Sequence, residues 1–339
     1  MSDPLLSVKN LRVDLSTRRD TVHPVANVSF DLAQGETLGI VGESGCGKSM
    51  MLRTLIGLLP RGGRVTDGQI MFQGTDLLSL DEKEMRDVRG RSIGMIFQEP
   101  MTALNPVMQV GEQIAEGPIA HLGFTKKAGR QRAVELMQQV GIPDAVRRLR
   151  SYPSELSGGM RQRVMIAMAL ACEPKLLLCD EPTTALDVTI QDQILKLLLQ
   201  LQESTGIGMI FVSHDLAVVS QICQNVAVMY AAEIVEIGSV ASVLADPTHP
   251  YTLGLLRAVP DFDKVRSVLE SIPGIPPNLA QPPEGCRFRA RCEFAQEDCA
   301  TGAFPLLFND GDHATSCIHS DKCRDAAHAD PVIGSRALR

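Results

Sequence analysis

Apolar and polar positions alternate in two early stretches, residues 5–16 and 25–33, most clearly in Val25-Ala26-Asn27-Val28-Ser29-Phe30-Asp31-Leu32. Period two predicts half-buried strands, here an antiparallel lobe. The pattern then changes. Short unbroken apolar runs at 37–41, 93–97, 176–180 and 208–213 predict strands covered on both faces. Helical periodicity occupies 50–56, 99–172, 189–204 and 215–223, and two more strands fit within 225–237. Strands alternating with helices argue for an α/β fold around a parallel sheet, with 99–172 as a helical insert. Past about residue 240 proline becomes dense, from Pro247 to Pro283, and regular structure is expected to be sparse.

The chain has 339 residues, enough for a domain at 1–240 and a smaller one at 241–339. It is 44% hydrophobic, which supports a sizeable core, and its net charge of −7 argues against a nucleic-acid-binding surface. The start carries no basic stretch followed by an apolar one, and no run reaches the ~18 apolar residues of a membrane span. A soluble, cytosolic protein is expected, or one held at a membrane by partners. Thiols stay reduced in that compartment, so the nine Cys do not imply disulfides.

Gly42-Glu43-Ser44-Gly45-Cys46-Gly47-Lys48-Ser49 fits the phosphate-binding pattern G-x-x-x-x-G-K-[ST]. It stands between a predicted strand and a predicted helix, where loop N–H groups and a helix N-terminus converge on one point. Lys48 would reach the β- and γ-phosphates, and the Ser49 hydroxyl would ligate Mg²⁺. The apolar run Leu176-Leu177-Leu178-Cys179 ends in Asp180-Glu181, placing two acids at the carboxyl edge of a sheet. Asp180 is expected to hold Mg²⁺ and Glu181 to polarise a water.

Leu156-Ser157-Gly158-Gly159-Met160-Arg161-Gln162 resembles the LSGGQ signature of ABC-type ATPases, with Met at the fifth place and Gln162 two positions on. Ala185-Leu186-Asp187 is similar to the family's D-loop, His214 after the 208–213 run to its switch histidine, and Gln98 after 93–97 to its Q-loop glutamine. The resemblance implies an ABC-type P-loop ATPase fold, a RecA-like core with an antiparallel lobe and a helical subdomain at about 99–172. It implies ATP held by Gly42, Ser44, Gly45, Cys46, Gly47, Lys48 and Ser49 of one chain. Ser157, Gly158 and Gly159 of a facing chain, with Asp187, would complete that site. Catalysis would fall to Glu181, His214 and Gln98, and Mg²⁺ to Ser49, Gln98 and Asp180. An aromatic residue usually stacks on adenine; here Leu15 or His23 stands at the candidate position.

Gln98-Glu99-Pro100-Met101-Thr102-Ala103-Leu104-Asn105-Pro106 and Asp246-Pro247-Thr248-His249-Pro250-Tyr251-Thr252 resemble segments of dipeptide, oligopeptide and nickel importer ATPases of the "D" type. That implies import of peptides or similar solutes from the cytoplasmic face of the inner membrane. The implied partners are two transmembrane permease subunits, a second related ATPase subunit and an extracytoplasmic solute-binding protein, and no nucleic acid. A soluble ABC ATPase acting on DNA or ribosomes is the rival reading.

In the tail, Cys286, Cys292, Cys299 and Cys317 are spaced C-x5-C-x6-C-x17-C. Structural zinc favours C-x2-4-C pairs, and wider spacing suits an iron–sulfur cluster. Zinc and free thiols remain alternatives; the family's extension carries a similar pattern, implied to hold [4Fe–4S]. Cys323 is a fifth thiol, and His313 and His319 are substitute ligands. Arg287, Arg289 and Arg291 would offset the cluster's charge. Cys46, Cys172, Cys179 and Cys223 are expected to pack.

Overall fold

The protein is described by a computed structural model covering residues 3–184, 186–258, 271–310, 312–330 and 333. In chain order it begins with strands β1 (Leu6–Ser16), β2 (Thr21–Leu32) and β3 (Thr37–Val41). Helix α1 (Lys48–Leu55), strands β4 (Gly63–Phe72) and β5 (Thr75–Asp76), and helix α2 (Glu82–Val88) follow. Strand β6 (Ile93–Ile96) precedes helices α3 (Pro100–Ala103), α4 (Val110–Leu122), α5 (Lys126–Gln139), α6 (Ala145–Arg148) and α7 (Gly158–Ala169). Then come β7 (Leu176–Asp180), α8 (Val188–Thr205), β8 (Gly208–Ser213), α9 (Leu216–Ile222), β9 (Asn225–Tyr230) and β10 (Glu233–Ser239). The chain closes with α10 (Val240–Ala245), α11 (Pro250–Ala258), β11 (Leu307–Asp310), β12 (His313–Thr315) and α12 (Ser320–Ala329).

Two compact units form. One holds residues 1–6, 32–37 and 71–212. In it β6, β7 and β8 run parallel, Ile96 beside Cys179 and Asp180 beside Val212. All residues of β7 and β8 are buried. Burying each Leu of β7 is worth roughly 2 kcal/mol, so the run can be nothing but interior. The helical insert α3 to α7 belongs to this unit.

The other unit holds residues 7–31, 38–70 and 213–339. Here β3 pairs parallel with β9, which pairs antiparallel with β10. The early strands lie in the order β2-β1-β4, the lobe that alternation predicted. The tail is more ordered than its prolines suggest: β12 pairs antiparallel with β10, Glu236 beside Thr315, and β11 pairs with β12. A short hairpin extends an existing sheet edge, and such pairing depends on a partner far away in sequence.

No helix among the described residues is long and apolar enough to cross a membrane.

Candidate functional site

The turn between β3 and α1 wraps tightly. Gly47 has φ +111°, and a Cβ there would sit 1.9 Å from the Pro24 carbonyl oxygen. Gly42 is equally confined, its Cβ position 2.1 Å from Met229 O. Gly45, at φ +81°, faces open space and is needed for its backbone conformation. Ser44 is exposed and Cys46 buried. Lys48 is 4% exposed; its Nζ donates to Gly42 O at 2.7 Å and Glu43 O at 3.0 Å, with Cys46 Sγ 3.8 Å away. The ammonium therefore spans the mouth of the loop. Helix α1 starts at Gly47 with no side-chain cap, so its first N–H groups meet the loop's own. Ser49, in the first turn, is half-buried. A backbone cradle, a helix N-terminus and a lysine suit an anionic phosphate chain.

In the same unit, His214 follows β8 and is exposed, while the adjacent Asp215 caps α9. His23 lies in β2, its Nδ1 2.6 Å from Asp14 Oδ1, one residue from the Pro24 carbonyl that touches the loop. Leu15 is a half-buried position of β1.

In the other unit, Asp180 ends β7 at 1% exposure. Glu181 adopts φ +45°, rare for a residue with a Cβ and typical of strained functional turns. Its Oε2 accepts from Gln98 Nε2 at 3.3 Å and from Thr184 Oγ1 at 2.9 Å. Gln98 and Glu181, 83 positions apart, are thus brought together. Ser157 caps α7 by accepting from Met160 N at 3.3 Å, and Gly158 is exposed with open space at its Cβ position. The unusual Met160-Arg161-Gln162 has a local explanation: Gln162 is 1% exposed and donates to Pro182 O at 2.6 Å, tying the signature helix to the turn after Glu181. Asp187 caps α8 through Ile190 N at 2.9 Å, while Ala185 lies outside the described residues.

The sequence pattern of the ABC transporter family matches residues 25–184, and that of the oligopeptide/dipeptide transporter C-terminal region matches 235–299. The dipeptide transport ATP-binding protein DppD of Bacillus subtilis (strain 168) is 52% identical over 321 residues, 94% of this chain and 96% of that protein. The oligopeptide transport ATP-binding protein OppD of the same organism is 51% identical, covering 86% of this chain and 82% of that one. Among solved structures, the ATP-binding cassette MJ0796, a dimer in a post-hydrolysis state bound to ADP and Pi, superimposes with a TM-score of 0.63 at 28% identity, over 69% of this chain and 98% of that one.

This chain belongs to the ABC transporter family.

Within this ABC ATPase, the stretch opening the C-terminal region is a buried polar knot. Glu236 of β10, 0% exposed, accepts from Thr248 N at 2.7 Å, Thr248 Oγ1 at 2.8 Å and His249 N at 3.0 Å, and contacts His313 Nε2 at 2.8 Å. Burial lowers the pKa of His249 to about 4, so its neutral Nδ1 accepts from Tyr251 N at the start of α11. His313 is thereby committed to Glu236. Glu236 carried no motif; only its place inside an apolar strand hinted at a buried carboxylate.

Cys286, Cys292, Cys299 and Cys317 line one small cavity of about 20 Å³ with Phe288 and His319. Burial pushes the Cys292 thiol up to about 11 and that of Cys317 to about 12, and the neighbouring cysteines push the same way. Cysteine thiols brought to one cavity are a set of soft donors of the kind that can hold a metal. Asp298, Cys299 and His319 also bring one ligand atom each within 4.8 Å of one another. Cys323 is fully buried in α12, and Cys46, Cys172, Cys179 and Cys223 are buried as expected. The arginines depart from expectation. Arg289 lines the cavity, but Arg287 pairs with Glu233 at 3.1 Å and Arg291 with Glu43 at 2.8 Å. Nearby carboxylates have claimed two of the three charges.

Proposed function

We infer that this chain is the ATP-hydrolysing subunit of an importer for di- or oligopeptides, working at the cytoplasmic face of the membrane against two permease subunits. The observation that carries the reading is the phosphate loop: Lys48 across its mouth, glycines packed where no Cβ fits, and an uncapped helix start behind it. The peptide assignment rests on the relatives and on the match at 235–299. Gly42, Ser44, Gly45, Cys46, Gly47, Lys48 and Ser49 bind the triphosphate. Ser49, Asp180 and Gln98 would hold Mg²⁺, which would supply positive charge to offset that of the phosphates. Glu181 aligns the attacking water, with Gln98 beside it, and His214 contacts the γ-phosphate. His23, next to Pro24 and the loop, is favoured over Leu15 to cover the base.

The exposed N-terminus of α7 at Ser157, Gly158 and Gly159, with Asp187 at the start of α8, serves the nucleotide of a second, related ATPase subunit. Met101 and Val107, 62% and 82% exposed after Gln98, suit a permease contact. Cys286, Cys292, Cys299 and Cys317 would hold a [4Fe–4S] cluster, which would supply structural cross-links between segments of the tail. Asp298 and His319, 2.9 Å apart, lie against Cys299.

Glu181→Gln in the reassembled transporter tests the central role. ATP should still bind, while hydrolysis and peptide uptake fall together by about 10²–10⁴-fold, the worth of a positioned base. Hydrolysis above a tenth of wild type would remove Glu181 from the chemistry; uptake of nickel but not peptide would move the solute.

A further inference from the structure

Glu43 is the one carboxylate inside the phosphate loop. A negative charge at an anion site works against its ligand, and at short range the penalty is substantial even with partial screening. The structure shows what takes this charge up. Arg291 Nη1 and Nη2 donate to Glu43 Oε2 and Oε1 at 2.8 and 2.9 Å, a two-pronged pair between residues 248 positions apart. The Arg291 side chain is 4% exposed, that of Glu43 28%. Arg291 is itself pinned: Nε donates to Pro273 O at 2.9 Å, and the guanidinium carbon lies 5.7 Å from the Tyr230 ring centre and 5.9 Å from that of Phe288. The Glu43 pair raises the pKa of Arg291 further, so its charge is permanent.

A second group from the C-terminal side acts on the same residue. Tyr251 Oη, buried against Tyr230 with ring centres 4.6 Å apart, accepts the Glu43 N–H at 2.8 Å. The Glu43 carbonyl accepts from Lys48 Nζ. Backbone and side chain of this single residue are therefore both held, one end by the loop's lysine and the other by the C-terminal region.

We propose that Arg291, assisted by Tyr251, is a positioning residue for ATP: it neutralises the Glu43 carboxylate and holds it on the C-terminal region, leaving Lys48 and the loop N–H groups unopposed toward the phosphates. The proposal rests on the reading of Gly42 to Ser49 as the ATP loop. Arg291 directly precedes Cys292, so the cysteine segment and the phosphate loop meet through one side chain.

A plain structural staple and an electrostatic positioning role differ in what Glu43 does when Arg291 is gone. For a staple, removing either partner does the same harm. For positioning, the orphaned carboxylate is the harm. Equilibrium ATP titrations with Mg²⁺ on the full chain decide between them. Arg291→Gln should weaken ATP binding about tenfold, which is ~1.4 kcal/mol. Adding Glu43→Gln in the same chain should restore affinity to within about twofold of wild type, and raised ionic strength should shrink the defect of the single variant. Wild-type affinity in Arg291→Gln, or a loss that Glu43→Gln does not repair, would overturn the proposal. Should Arg291→Gln fail to fold, Arg291→Lys keeps the charge and should bind ATP within about threefold of wild type; a tenfold loss there counts against it. Lys48→Ala is the control for the underlying reading. If Lys48→Ala binds ATP normally, the loop assignment itself falls, whatever Arg291 does.

Discussion

In the phosphate loop, contiguous residues offer backbone N–H groups and one lysine, all set by glycine geometry and the start of α1. In the cysteine cavity, four cysteines from positions 286 to 317 line one small space, brought there by the fold of the tail. The loop's cradle is built from contiguous backbone, with its Glu43 held by Arg291 and Tyr251 from far along the chain. The cavity gathers four cysteines that stand far apart along the chain. A site of the first kind is built mostly from local backbone; one of the second kind depends on how distant segments meet.

The strongest break between the two regions is expected from Ser157→Arg. A bulky cation at the head of α7 should leave ATP binding and metal content of the isolated chain untouched. It should reduce turnover of the assembled transporter by about 10²-fold or more, the scale for loss of preorganised donors at a reacting phosphate. Normal turnover would mean that the α7 N-terminus serves no nucleotide.

Lys48→Ala comes next. Losing a charged hydrogen-bonding group costs about 1.5–3 kcal/mol, roughly ten- to a hundredfold in ATP affinity, again with metal content unchanged. Glu236→Gln acts on the other region: an amide cannot accept from Thr248, His249 and His313 together as a carboxylate does. About 1–3 kcal/mol of stability should be lost in urea unfolding, since a buried donor is left unpaired, and ATP affinity of the folded chain should hold. No change in stability would show that the knot is dispensable. Cys292→Ser should empty the cavity of metal yet lower ATP affinity by no more than about tenfold, the loss expected from a displaced Arg291. Complete loss of ATP binding would show that the two regions fold as one.

The same contrast explains what could be read from the chain. Strands 37–41, 176–180 and 208–213 were legible to the residue because unbroken apolar runs admit one environment. The loop was legible because its geometry is local. Gln98 and Glu181 were each placed by a neighbouring strand end, and their hydrogen bond follows from parallel pairing of β6 with β7. Glu43, Arg291, Glu236 and His313 were not legible as partners. Their pairing depends on how the tail returns to β10 and to the loop, and spacing along the chain carries no trace of it. The hairpin β11–β12 escaped for the same reason: short, flanked by irregular chain, it is a strand pair only because β10 offers an edge.

The proposed iron–sulfur group on the four cysteines is open to one direct measurement. Iron and acid-labile sulfide should be determined on anaerobically purified protein, with ATP binding measured on the same sample. About four irons and four sulfides per chain, a brown colour, and normal ATP affinity are expected for four thiolate ligands. Colourless protein carrying stoichiometric zinc, or no metal, with the tail still folded would contradict it.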